Sequence, residues 1–202
     1  MTTVALIGNP NAGKTTVFNS LTGGHQHVGN WPGVTVERKT GKYLQENDNY
    51  KVVDLPGVYS LNPAGTSPDE AIAQKYLGEH RPDVIVNVID ASSISRGLFL
   101  TTELLELAIP VVVALNMTDV AEHHGLKIDA QKLANSINCP VIELVASKNQ
   151  GIRDLKAAIK LARQTTMSNS LGSQLGSETE RYVHIDKIVH ASVKHVPISK
   201  TL

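Results

Sequence analysis

Short runs of aliphatic and β-branched residues alternate along this chain with longer segments whose apolar positions recur at helical spacing. The strand-like runs are Thr3 to Ile7, Val36 to Leu44, Lys51 to Leu55, Val84 to Ile89, Val111 to Asn116 and Val141 to Leu144. Helical candidates lie between them at Lys14 to Leu21, Asp69 to Glu79, Ser93 to Leu107, Asp129 to Ile137 and Gly151 to Arg163. In the last of these, Ile152, Leu155, Ile159 and Ala162 share one face that should pack on a sheet. Continuously apolar strands are buried on both sides, and strands separated by helices join through parallel crossovers. The pattern predicts a three-layer α/β domain around a mostly parallel six-stranded sheet.

Beyond Arg163 the pattern breaks. Residues 164–177 are rich in Thr, Ser, Gly, Gln and Asn and read as a flexible linker. A second amphipathic segment follows, with Tyr182, Ile185, Ile188, Val189 and Val196 on one stripe, and it predicts a helix of about four turns stopped near Pro197. The expected organisation is a domain over 1–163, a linker over 164–177 and a C-terminal amphipathic helix within 178–202.

Composition narrows the functional classes. The 202 residues are 41% hydrophobic and 19% charged, which excludes wholesale disorder. Lys plus Arg number 19 and Asp plus Glu 19, so no basic nucleic-acid surface is written into the chain, and 4% aromatic residues leave few stacking platforms for single strands. The apolar runs, such as Val111 to Leu115, are much shorter than the ~18 residues of a membrane span. Met1-Thr2-Thr3-Val4 has neither the basic nor the apolar region of a secretory signal, and the single Cys139 sits in an apolar stretch. A reducing, cytosolic setting is expected.

The first strand runs into Gly8-Asn9-Pro10-Asn11-Ala12-Gly13-Lys14-Thr15, which fits G-x-x-x-x-G-K-[ST], and then into an apolar helix. Gly8 and Gly13 let backbone N–H groups wrap phosphates, Lys14 reaches the outer phosphates and Thr15 offers a hydroxyl to Mg²⁺. Downstream, a strand ends in Asp54-Leu55-Pro56-Gly57, where a carboxylate can hold Mg²⁺ through water and the Gly57 N–H can meet a γ-phosphate. Another ends in Asn116-Met117-Thr118-Asp119, similar to N-K-x-D with Met for Lys. An Asp there accepts from N1–H and the 2-amino group of guanine, donors that adenine lacks, so guanine is favoured over adenine. After the last strand, the backbone N–H groups of Val145-Ala146-Ser147 can face the guanine carbonyl. Between the phosphate loop and Asp54, Gly29-Asn30-Trp31-Pro32-Gly33-Val34-Thr35-Val36-Glu37 reads as a first switch, with Thr35 reaching Mg²⁺ and the γ-phosphate. Trp31 either sits where the chain moves or packs in the core.

Together Gly8 to Thr16, Val28 to Glu37, Asp54 to Gly57 and Asn116 to Asp119 resemble the ferrous-iron transport protein B family over residues 3 to about 163. The resemblance implies a Ras-like P-loop GTPase fold, with the cofactors GTP/GDP and Mg²⁺ held by Gly8, Asn9, Pro10, Asn11, Ala12, Gly13, Lys14, Thr15, Thr16, Gly33, Val34, Thr35, Asp54, Leu55, Pro56, Gly57, Asn116, Met117, Asp119, Val145, Ala146 and Ser147. It also implies a cytosolic switch joined to a membrane-embedded region of the same longer chain that moves Fe²⁺, at the cytoplasmic face of a bacterial inner membrane. The tail from Glu180 resembles the last helix of the family's helical spacer, without the bundle that precedes it there. Ras-like enzymes place a glutamine after the D-x-x-G glycine to orient water, whereas here Val58 follows Gly57. In this family and its relatives the residue matching Asn11 coordinates K⁺, with backbone carbonyls near Gly29 and Trp31. The catalytic set so implied is Asn11, Lys14, Thr35 and Gly57, with slow intrinsic hydrolysis.

Two other classes compete. An RNA- or ribosome-associated G protein shares G-x-P-N-x-G-K but usually carries a basic module, and a nucleotide-gated binding module needs no hydrolysis. His25, His27, His123 and His124 are paired without the carboxylate or thiolate that would complete a metal site. The apolar stripe of the tail must bury itself either on its own domain or against a second copy, so a homodimer through residues 178 to 200 is one expectation.

Overall fold

Alternate residues of the first strand, β1 (Thr2–Gly8), enter opposite hydrophobic cores: Val4 and Leu6 face one, Ala5 and Ile7 the other. This two-sided burial organises the computed structural model, which describes residues 1–61, 67–164 and 176–197. The chain continues through α1 (Lys14–Thr22), β2 (Gln26–Asn30), β3 (Glu37–Gln45), β4 (Asp48–Asp54), α2 (Pro68–His80) and β5 (Val84–Asp90). Then come α3 (Ile94–Leu105), β6 (Val111–Asn116), α4 (Thr118–His123), β7 (Leu126–Ile128), α5 (Ala130–Ile137), β8 (Val141–Glu143) and α6 (Ile152–Gln164). The C-terminal part is α7 (Glu178–Ser192) and β9 (Val193–His195).

The main sheet has the order β2-β3-β4-β1-β5-β6-β8. Five strands from β4 to β8 run parallel, while β3 and β2 turn back antiparallel at one edge. Helices α1 and α6 cover one face through Val17, Phe18, Leu21, Leu155 and Ile159. Helices α2, α3, α5 and α7 cover the other through Tyr76, Leu77, Leu98, Leu104, Leu133, Ile137, Ile185 and Ile188. The three-layer, mostly parallel architecture is as the hydrophobic pattern predicts, but the sheet has seven strands rather than six. The extra one, β2, is exposed along its length and joins by backbone hydrogen bonds to β3 alone.

The tail also departs from expectation. Helix α7 begins with a reciprocal cap between Ser177 and Glu180 and ends at Ser192, short of Pro197. Val193, Lys194 and His195 instead pair with Ile128, Lys127 and Leu126, and the Asp129 N–H donates to the Ser192 carbonyl at 2.8 Å. The unpaired backbone of β7 gains a ladder from these β-branched and polar residues, which outweighs one more helical turn. Residues 165–175, the greater part of the expected linker, lie outside the described residues.

Of the stripe on α7, Ile185 and Ile188 are buried against the protein's own α3 and α5, the first of the two ways open to it. Phe99 stacks on Tyr182 at 4.8 Å, Arg181 donates to Thr102 Oγ1 at 3.2 Å and also pairs with Glu106. Cys139 is buried, donates to the Val111 carbonyl and has its thiol pushed up to about 12 by burial, as suits an inert core group. Ile185→Ala should destabilise the chain by about 2–5 kcal/mol in urea unfolding, while Val183→Ala, half-exposed on the same helix, should change it by less than ~0.5 kcal/mol. Equal effects would show that α7 is not docked in this way.

Candidate functional site

The phosphate loop is shaped by two left-handed residues, Asn11 at φ 66° and Gly13 at φ 84°. Gly13 is required twice over, because a Cβ there would lie 2.3 Å from Asn116 Nδ2. A Cβ on Gly8 would meet the Val88 carbonyl oxygen at 2.4 Å, so this glycine permits the close approach of β1 to β5. Successive N–H groups in such a turn form an anion-binding concavity, and α1 carries no acidic residue in its first turn to oppose it. Asn9, Pro10, Asn11, Gly13, Lys14, Thr15 and Gly57 line one cavity of about 450 Å³. Ala12 is buried behind the loop, and Thr16 is exposed on α1.

Lys14 forms an ion pair with Asp54, at the end of β4. Burial pushes the Asp54 carboxyl up, and the Lys14 ammonium opposes that shift. A single carboxylate and the Thr15 hydroxyl, beside space for phosphate oxygens, are hard donors that suit Mg²⁺. Leu55 and Val58 turn into the core, and the Val58 N–H donates to the Gly8 carbonyl at 3.0 Å. Gly57 thereby rests on Pro10, where a Cβ would lie 3.3 Å from the Pro10 backbone. Pro56 flanks it on a second, smaller cavity with Lys14 and Asp54.

On the other side, Asn116 joins two loops. Its Nδ2 donates to the Ala12 carbonyl and its Oδ1 accepts from the Ala146 N–H, both at 3.1 Å. Met117, left-handed at φ 59°, places its Cε beside Gly13 and so covers the loop with apolar area. Asp119 Oδ1 accepts from the Val120 N–H at 3.0 Å and Oδ2 from Lys148 Nζ at 2.8 Å. The hydrogen bond from Lys148 is the main reason its carboxyl is held below the usual range. Val145 and Ala146 are buried and Ser147 is exposed, and the Ala146 N–H is directed at Asn116.

The first switch is the part that does not converge. Trp31 is 5% exposed and sits in the core, edge-on to Tyr76 at 5.4 Å and under Arg38 at 5.1 Å, so core packing is what this conformation shows. Gly33, Val34 and Thr35 are exposed, and Thr35 lines neither phosphate-side cavity. Gly29 pairs with Arg38 in the ladder, and neither it nor Trp31 lines the cavity that Asn11 lines. Three side chains were not foreseen: Asp69 on the phosphate cavity, Lys148 on Asp119, and Glu103, which holds the segment after Gly57. The first follows the Ser67 cap of α2 and is visible as an acidic first turn; the others are non-local. His25 and His27 stand beside Lys42 and Lys51, and among the described residues no group of three or more His, Cys, Asp or Glu gathers to hold a metal.

The family model described as "Ferrous iron transport protein B" matches residues 2–159. An Fe(2+) transporter FeoB of Legionella pneumophila (strain Lens) is 48% identical over 194 residues, covering 88% of this chain and 26% of its own length. Its counterpart in Salmonella typhimurium (strain LT2) is 52% identical over 159 residues, 78% of this chain and 21% of its own. The chain thus spans about a quarter of the length of these relatives. Among solved structures, the cytosolic domain of L. pneumophila FeoB superposes with a TM-score of 0.83 at 40% identity, over 96% of this chain and 100% of that one. The cytosolic domain of T. maritima FeoB in its GMPPNP form does so with 0.86 at 28%, over the same shares. A GDP-bound point mutant of the S. thermophilus FeoB G-domain gives 0.83 at 32%, again over 96% and 100%.

Asn116→Ala leaves the Ala12 carbonyl and the Ala146 N–H unpaired in the interior, a loss of about 2–4 kcal/mol for two buried bonds. Urea unfolding of the nucleotide-free chain should show it, and a change below ~0.5 kcal/mol would contradict the bridge.

Proposed function

The chain belongs to the ferrous iron transport protein B family, and on that premise we propose that it is the guanine-nucleotide switch of a membrane ferrous-iron transporter, hydrolysing GTP slowly to GDP and phosphate. The observation that carries this reading is the contact between the two halves of the site. Asn116 ties the phosphate loop to the loop bearing Ala146, and Asp119, three residues on, offers an ionised carboxylate to the base. The GDP and GMPPNP named for related domains are guanine nucleotides of this kind.

In this proposal Lys14 exchanges Asp54 for the β- and γ-phosphates, and the Asp54 carboxylate and the Thr15 hydroxyl are the residues that would hold Mg²⁺. Mg²⁺, when bound, neutralises charge shared by the outer phosphates. The Gly57 N–H meets the γ-phosphate, and Thr35 swings in with the first switch, drawing Trp31 off Tyr76. Val58 is buried and has no group to orient water, so catalysis falls to charge stabilisation at the phosphates. Asn11, exposed at the cavity, would hold K⁺ together with backbone carbonyls of Gly29 and Trp31 if that segment closed over it, and the ion would supply positive charge beside the phosphates. The division into a G domain over 1–163, a linker and a C-terminal helix belongs to the same proposal, as do the transporter region beyond it and the cytoplasmic membrane face. Ile185 and Ile188 are buried within the chain, so a homodimer through this stripe would have to use the exposed Tyr182 and Val196. Balanced charge weighs against the RNA- or ribosome-associated alternative.

Hydrolysis should be faster in K⁺ than in Na⁺, Asn11→Ala should remove the difference, and Trp31 fluorescence should change with the GTP analogue more than with GDP. Equal rates of the intact chain in both salts would contradict the role given to Asn11.

A further inference from the structure

The segment that follows Gly57 is held at both ends. At one end the Val58 N–H donates to Gly8; at the other, a carboxylate from α3 takes two donors. Glu103 Oε1 accepts from the Ser60 hydroxyl at 2.8 Å, and Oε2 from the Leu61 N–H at 2.7 Å. The two residues are 42 positions from Glu103 or more, so this is a tertiary clamp and not a local cap. Burial drives the Glu103 carboxyl up, the two hydrogen bonds and Arg181 oppose that, and the neighbouring Glu106 adds to it. A half-buried carboxylate with two charge-assisted bonds is strongly directional, and removing it leaves the Leu61 N–H without that partner.

The consequence reaches Gly57. With Val58 pinned to β1 and Leu61 pinned to α3, Gly57 lies against Pro10 and lines the phosphate cavity while Thr35 is still exposed and away from it. The segment after Gly57 therefore stands at the cavity and Thr35 does not. We propose that Glu103 is a positioning residue for the triphosphate: by clamping Ser60 and Leu61 it presets the Gly57 N–H where a γ-phosphate arrives, so that binding GTP need not order this segment. The inference rests on the reading of Gly57 as the γ-phosphate contact. A diphosphate does not extend to Gly57, so the clamp should matter for GTP and not for GDP.

The test is the affinity of the intact chain and of Glu103→Ala for GDP and for a non-hydrolysable GTP analogue, by titration calorimetry. Loss of the clamp should weaken the analogue about tenfold and leave GDP within about twofold. Glu103→Gln, which keeps an oxygen to accept from Leu61, should fall between. Should Glu103→Ala fail to fold, Ser60→Ala removes one of the two bonds and should shift the same ratio by a smaller factor. Equal losses for both nucleotides, or an unchanged ratio, would overturn the proposal while leaving the nucleotide site standing. Failure of the intact chain to bind either nucleotide would overturn the reading of the site and this inference with it.

Discussion

The bridge made by Asn116 is the constraint on which the site depends. One side chain donates to Ala12 in the phosphate loop and accepts from Ala146 in the loop after β8, so the turn that would cradle phosphate and the turn that would face the base move as one body. Gly13 must be a glycine because Asn116 occupies the space a side chain would need. Met117 takes its left-handed conformation directly after that anchor and covers Gly13. The strands make this possible: β1, β6 and β8 run parallel in the order β1-β5-β6-β8, and their carboxyl ends bring Ala12, Asn116 and Ala146 to one edge.

Rigidity is unevenly shared around that edge. The base side is tied by Asn116, by Thr118 to the Leu144 carbonyl and by Lys148 to Asp119. Residues 58–61, after Gly57, are tied by Gly8 and Glu103. In the segment from Gly29 to Glu37, Gly29 and Asn30 pair with Arg38 and Glu37 in the β2–β3 ladder and the Trp31 ring lies between Tyr76 on α2 and Arg38 on β3, while Gly33, Val34 and Thr35 face outward. For a ligand to draw Gly33, Val34 and Thr35 inward, its differential contacts must exceed the packing of Trp31, which is the physical requirement for a switch.

Much of this was legible in the sequence because it is periodic or compact in the chain. The parallel strands announce themselves as apolar runs, and the phosphate loop, Asp54-Leu55-Pro56-Gly57 and Asn116-Met117-Thr118-Asp119 each lie within a few consecutive residues. What escaped is non-local or polar. Strand β2, Gln26 to Asn30, has no buried face and hence no alternation to read. Strand β9 looked like more helix, since Val189 and Val196 fall at helical spacing, yet its partner β7 lies 65 to 69 residues earlier. Glu103 reads as a solvent-facing charge on α3 until Ser60 and Leu61 are folded against it. Lys148 reads as a loop cation until Asp119 is placed opposite.

In the proposed function Asp119 reads a guanine base. The most direct measurement compares GDP with xanthosine diphosphate on the intact chain and on Asp119→Asn, because an amide donates where xanthine carries a carbonyl in place of the 2-amino group. The account predicts a preference for GDP of about a hundredfold or more in the intact chain and a reversed preference in the variant. Unchanged GDP affinity and selectivity in Asp119→Asn would contradict it.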